Sequence, residues 1–428
     1  MKRNLYVGAL FLIVLAALLF AGSLLQKRAA VEAAGVQAPR FEVDPLWPKP
    51  LPNHWLQGQT IGVSVDAQDH IWIIHRAGSL EAGEKHATTN PPIAQCCAPA
   101  PPILNFDQEG NLLRSWGGPS PTHEFDWPDS NHGITIDYKG NVWIGGNGLG
   151  TAPGGGGRGG ARGGARGEQV LNEEQEGAAI GYTNDTMVLK FTQDGKFIMQ
   201  IGKVGTTKGS NDVENLRRPA KLFIDKQTNE VFVADGYGNH RVIVFDADTG
   251  KYKRHWGAYG NKPDDKNLGN YNPDAAPSQQ FRNPVHCAEL SVDRLLYVCD
   301  RQNDRIQVFK PDGTFVKEQF INKRTLGSGS VWDIAFSKDP QQKYIYLADG
   351  ENDRVHIIER ESLRMLTTFG EGGRQPGEFY GVHSIATDSK GNIYTTETYR
   401  GQRVQKFVFK GLGPVTKEDQ GVVWPAKK

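Results

Sequence analysis

Three histidines, His132, His286 and His383, open the same strand motif in the second, fourth and sixth of six repeated units. Imidazole is a common neutral metal ligand, and three converging on one point suit a tetrahedral zinc with one position open for water or substrate. A lone histidine at a strand start is ordinarily a hydrogen-bonded loop or core residue. Three in register on alternate units argue otherwise, because the intervening units carry Ile61, Ala220 and Trp332 in that slot. His54, His123 and His255 share no such position.

A second group stands beside the first. Arg76 follows IWIIH and Arg301 follows LYVCD, at the ends of the second strands of the first and fourth units, and Tyr237 lies in VADGYGN after the second strand of the third. Antiparallel pairing returns the end of a second strand to the face where the first strand begins, so these three should look onto the histidines. A guanidinium can grip a carboxylate through two parallel hydrogen bonds, and its fixed charge favours a nearby tyrosinate. Arg241, Arg305, Arg354 and Arg403 recur at one third-strand position and read as a structural element of the repeat.

The elements that must position these groups are short strands. First strands read IGVSVD from Ile61, HGITID from His132, AKLFID from Ala220, HCAELS from His286, WDIAFS from Trp332 and HSIATD from His383, each followed by a second strand rich in aromatic and β-branched residues. A third strand and a more polar fourth, often ending in an aromatic-Gly pair such as Trp116-Gly117, complete most units. Four-stranded units of roughly 40 to 50 residues are the signature of β-propeller blades. The expected fold is all-β, one six-bladed propeller over 41–415, with antiparallel blades around a central axis. The 51 Gly and 24 Pro of the 428-residue chain suit many short turns, and no long amphipathic helix pattern occurs. The last unit lacks a fourth strand, which FEVDPLW from Phe41 could supply and so protect the edge. First strands lie nearest the axis, and alternate blades of six are a third of a turn apart.

The segments IIHRAG, NHGITIDYKGNVW, VFVADGYGNHRVIVF, PVHCAEL, LYVCDRQNDRIQVF and GVHSIATDSKGNIY resemble the blades of peptidyl-α-hydroxyglycine α-amidating lyase, a zinc enzyme on a six-bladed NHL-type propeller. The likeness runs from about Trp55 to Phe409. It implies zinc on His132, His286 and His383, Tyr237 as the catalytic tyrosine, and Arg76 and Arg301 as active-site arginines. The implied reaction cleaves the N–C bond of a carboxy-terminal α-hydroxyglycine, giving an amide and glyoxylate, on a small-molecule or peptide substrate with a terminal carboxylate. Tyrosine ionises near pH 10, so a phenolate base at neutral pH needs about 4 kcal/mol of stabilisation. Zinc and Arg76 are the expected sources, with Arg301 on the substrate carboxylate, although the two arginine roles could be exchanged.

Departures from the family are specific. Ser384 stands where the family has an acid for a structural calcium, which puts calcium in doubt. The family's disulfide cysteines are absent, Gly238 and Val308 occupying the matching places. Of the four cysteines, Cys96 and Cys97 have no obvious partners, and Cys287 and Cys299 lie on paired strands of one blade, close enough in register to approach. No hydroxylating monooxygenase domain is read in these 428 residues, so a separate source of α-hydroxyglycine, or a different substrate, is expected. A non-catalytic, extracytoplasmic NHL scaffold is the alternative class; a calcium-dependent lactonase would want Asp, Glu and Asn on the axis instead.

Residues 1–40 read as a signal peptide or membrane anchor plus linker: a basic start, a charge-free apolar run from Leu5 to Leu25, then Lys27-Arg28. Ser23 stands where a lipoprotein signal needs Cys. Either way the propeller is expected to be exported, periplasmic or extracellular. A Pro-rich insertion near 88–102 and a Gly/Arg-rich insertion over 151–180, too poor in apolar residues to fold, interrupt the first and second units. RGG-like runs can bind RNA, but with a net charge of +1 on an exported chain no nucleic-acid partner is expected. Residues 416–428 form a tail, and the sequence leaves the oligomeric state open.

Overall fold

A computed structural model describes residues 35–148, 185–205, 207–419 and 424–425. The expected amino-terminal segment and the Gly/Arg-rich insertion lie outside these residues. Among the described residues no helix is long and apolar enough to cross a membrane.

Six four-stranded antiparallel sheets form the blades of a propeller. Their first strands are Gln59–Val65, Asn131–Ile136, Lys221–Asp225, Val285–Leu290, Asp333–Phe336 and Val382–Thr387. Each touches the first strands of both neighbouring blades, closing an inner ring. Successive side chains point to opposite faces of a blade, and the apolar ones interleave with those of the next blade. In one such layer Trp143 and Leu222 from blades 2 and 3 join Val233 and Ile243, all fully buried. The turn between first and second strands is fixed by an aspartate. Asp137 accepts the Lys139 and Asn141 N–H groups at 2.9 and 2.8 Å and the Trp143 indole at 2.9 Å. Asp66 holds Trp72 in the same way, again at 2.9 Å.

The ring closes through the amino terminus. Gln37–Asp44 pairs antiparallel with Val404–Pro414 and is the fourth strand of blade 6, so the propeller begins four residues before the expected boundary at 41. Phe41, 5% exposed, packs edge-on to Tyr346 at 5.3 Å between ring centroids and lies 5.4 Å from Phe369, both on blade 5.

Three details differ from the sequence reading. The insertion in blade 1 starts before the expected 88–102, with three short 3-10 turns, Ala77–Ser79, Ala82–Glu84 and His86–Thr88, and ends in a parallel pairing of Ala98–Pro99 with Trp55–Leu56. Cys96 and Cys97 are disulfide-bonded to each other, whereas Cys287 and Cys299, in keeping with their paired strands, are bonded across directly opposed positions, Cα atoms 4.8 Å apart. The third-strand arginines hold the acid ending the second strand in three blades: Arg241 on Asp235 at 2.8 Å, Arg305 on Asp300 at 2.7 Å and Arg403 on Glu397 at 2.5 Å. Arg354 departs from that rule and pairs with Asp419, while His356 takes Asp349 at 2.9 Å.

Phe41→Ala should lower stability by about 3 to 5 kcal/mol, because it opens a cavity at the closing seam. Denaturant unfolding would register this as a lower midpoint, and an unchanged midpoint would mean the seam contributes little.

Candidate metal and catalytic site

The three histidines meet at the axis. His132, His286 and His383 are 1, 2 and 1% exposed. Their ring centroids are 5.0, 4.8 and 4.8 Å apart, and one ligand nitrogen from each lies within 4.8 Å of the others. The strands carrying them are bulged at this level. The register skips His286 and His383 themselves, and Gly133 just after His132, whereas blades 3 and 5 pair regularly beside Ala220 and Trp332. A bulge bends its strand and re-aims a side chain, here in every blade that supplies an imidazole.

Backbone from the intervening blades fixes the rings. His132 Nδ1–H donates to Ala220 O at 2.8 Å, and His286 Nδ1–H donates to Trp332 O. A carbonyl can only accept, so both rings present Nε2 as a lone pair toward the centre. Gly133, with φ +63°, permits the first of these approaches, since a Cβ there would lie 2.2 Å from Ala220 O.

Tyr237, 8% exposed, reaches the same space. Its hydroxyl lies 3.0 Å from His132 Nε2 and 3.0 Å from His286 Nε2, and accepts from Arg301 Nη1 at 3.1 Å. One phenolic proton faces two imidazole lone pairs, and a cation held among the rings would answer both. The donor set therefore fits a metal: three imidazoles, two with the far nitrogen held by backbone. Burial, then the His383, Arg301 and His132 charges, hold the His286 pKa well below its ordinary value, which keeps it in the neutral, ligating form.

The arginines divide differently from the expectation that Arg76 attends Tyr237. Arg301, 1% exposed, contacts the phenol and stacks over Trp332 with Cζ 4.4 Å from the ring centroid. Arg76 sits on the neighbouring rim, donating to Gln59 Oε1 at 3.0 Å, Asn131 O at 3.2 Å and Asn147 Oδ1 at 2.8 Å. Each of its terminal nitrogens keeps a second N–H.

Arg218 and Asn147 belong to the site although neither was singled out in the sequence. Arg218 donates to Tyr237 O at 3.1 Å and Asn147 O at 2.7 Å, accepts the Tyr237 N–H at 3.2 Å, and lies over the tyrosine ring. Its φ of +60° is one that an arginine rarely adopts. The duplicated Arg217-Arg218 ahead of VFVADGYGN was the available signal, and only the fold brings it back to Tyr237. Ser384 supplies no charge; its hydroxyl donates to Asp333 at 2.6 Å.

The NHL repeat family matches residues 216–245, which span most of blade 3 and Tyr237. Peptidyl-glycine alpha-amidating monooxygenase from Mus musculus is 25% identical over 267 residues, 61% of this chain and 22% of that protein. Peptidyl-alpha-hydroxyglycine alpha-amidating lyase 1 from Drosophila melanogaster is 24% identical over 304 residues, 68% of this chain and 47% of its own length. NHL repeat-containing protein 3 from Homo sapiens is 23% identical over 383 residues, 86% of this chain and 84% of its own. The chain thus spans about a fifth of the first relative. It is a six-bladed propeller with one NHL repeat match and distant relatives named as amidating lyases.

Next to Arg76, His75 accepts the Gly58 N–H on Nδ1 at 3.1 Å and faces Pro101 O with Nε2 at 2.9 Å. A second proton would break the Gly58 bond, and burial lowers its pKa from 6.5 to about 4. The unfolded chain therefore binds more protons than the folded one between these values. The metal-free protein should hold this stability above pH ~6.5 and lose it as pH falls toward 4, His75 alone contributing roughly 3 kcal/mol. Thermal unfolding of the His75→Gln variant across that range should show a shallower pH dependence than the parent; an equal slope would contradict a neutral His75.

Proposed function

We propose that this protein is an exported, zinc-dependent carbon-nitrogen lyase that cleaves a carboxy-terminal α-hydroxyglycine, or a related carbinolamide, to an amide and glyoxylate. The observation that carries the reading is the Tyr237 hydroxyl, held between two buried imidazoles and a guanidinium. His132, His286 and His383 would hold the metal. Zinc, when bound, would supply a Lewis acid for the substrate hydroxyl. Similarity to proteins named as amidating lyases supports the reaction class. The charge-free apolar run from Leu5 to Leu25 supports export.

Arg301 donates to the Tyr237 oxygen and so favours the phenolate over the phenol. As phenolate, Tyr237 takes the proton from the substrate hydroxyl as general base. The O–H electron pair becomes the aldehyde C=O of glyoxylate, the C–N pair leaves with nitrogen, and the proton passes from Tyr237 to that nitrogen. Atoms balance without water. Arg76, with a second N–H on each terminal nitrogen, takes the substrate carboxylate. Trp332 and the buried inner strands keep bulk water from the imidazoles.

The test is glyoxylate release from α-hydroxyhippurate by the protein as isolated, after chelation, and after zinc is restored. Release should disappear with chelation and return with zinc. No release from folded, zinc-loaded protein would move the site to another substrate or to the scaffold role. Tyr237→Phe should keep zinc and lose turnover by at least two orders of magnitude, and full activity in that variant would remove the tyrosine from the mechanism. Arg76→Ala should chiefly raise KM, since it removes a grip made in ground and transition states alike.

A further inference from the structure

One residue along from the imidazole level, the inner strands carry an ion cluster. Lys221 Nζ lies 2.8 and 2.9 Å from the two Asp333 oxygens and 2.8 Å from Glu289 Oε1. Asp333, 1% exposed, also accepts the Ser384 hydroxyl at 2.6 Å and the Ile385 N–H at 3.1 Å. Lys221, Glu289, Asp333 and Ser384 sit on the first strands of blades 3, 4, 5 and 6. The cluster therefore ties four consecutive blades together at the axis.

Its chain neighbours give it a further meaning. Lys221 follows Ala220, whose carbonyl holds His132; Asp333 follows Trp332, whose carbonyl holds His286; Ser384 follows His383 itself. His132 and His286 are thus held by peptide units that adjoin Lys221 and Asp333, and His383 adjoins the serine that hydrogen-bonds Asp333. Burying such charges confers little stability over a well-packed apolar substitute, but it fixes geometry, because any displacement separates a desolvated pair.

We propose that Asp333 and Lys221 are positioning residues for the imidazole triad: the pair sets the spacing of the two carbonyls that orient His132 and His286 and, through Ser384, the place of His383. The inference rests on the metal reading of the site. It makes zinc affinity depend on residues that do not touch zinc, as outer-shell partners of metal ligands commonly do.

The experiment compares zinc affinity of the full chain, by competition with a chromogenic chelator, in the parent and in the Asp333→Asn, Lys221→Met and Ser384→Ala variants. Thermal unfolding of each metal-free protein runs alongside. Asp225→Asn is the control, since it breaks the two-pronged Arg294–Asp225 pair, at 2.8 and 2.7 Å, between blades 3 and 4. Asp333→Asn and Lys221→Met should weaken zinc binding by about 10- to 100-fold at one zinc per chain, and Asp225→Asn should lower the melting temperature without changing affinity. Ser384→Ala loses a single hydrogen bond, so it carries the test should the charge variants fail to fold, with a several-fold loss expected. Affinity within twofold of the parent in the cluster variants, or an equal loss in the control, would overturn the positioning role while leaving the metal reading intact. A parent protein that takes up no zinc would overturn both.

Discussion

The axis depends on hydrogen bonds by which the backbone of one blade holds the imidazole of the one before it. His132 is fixed by Ala220 O of blade 3, and His286 by Trp332 O of blade 5. Blades 2, 4 and 6 supply a ring and are bulged beside it, blades 3 and 5 supply a carbonyl and pair regularly, and blade 1 is bulged at Ile61 without supplying a ring. His132 and His286 thereby have their tautomers chosen by the scaffold, with Nδ1–H committed to a carbonyl and Nε2 turned inward. Sixfold repetition supplies the symmetry, and the alternation reduces it to the threefold that a small ion can use.

Burial then sets the electrostatics. Groups that would be ordinary acids and bases in water are held at the axis where a charge is costly unless answered. His286 responds by staying neutral, and Lys221 by gathering two carboxylates that hold its pKa above the usual value. Arg301 keeps its charge against the faces of Trp332 and Tyr237. The Tyr237 phenol has both an arginine donor and two imidazoles around its oxygen, the setting on which the proposed proton transfer rests.

Much of this was legible in the sequence because a repeat converts linear spacing into angular position. His132, His286 and His383 could be placed from their register alone, and the closing strand from the missing fourth strand of the last unit. What escaped was whatever depends on contact between blades. The bulges leave no compositional mark; Gly133 hints at one, whereas His286 and His383 have no adjacent glycine. The division of labour between Arg76 and Arg301 was open because both end second strands, and only the depth of each in the ring separates them. Arg218 lies 19 residues from Tyr237 along the chain, and nothing local ties them. Lys221 carries no local signal of its place in the cluster, because its partners Glu289 and Asp333 come from two other blades.

The closing seam also orders events in time. Gln37–Asp44 is among the first parts of the propeller to be synthesised, yet its partner Val404–Pro414 is among the last. Until the carboxy-terminal strand emerges, blade 6 is incomplete, blade 5 lacks the cover of Phe41, and an apolar strand remains an open edge for pairing with other chains. His383, the third imidazole, arrives only within that final stretch. A chain released before that stretch is made would therefore carry five complete blades, two of the three axial imidazoles and an open strand edge.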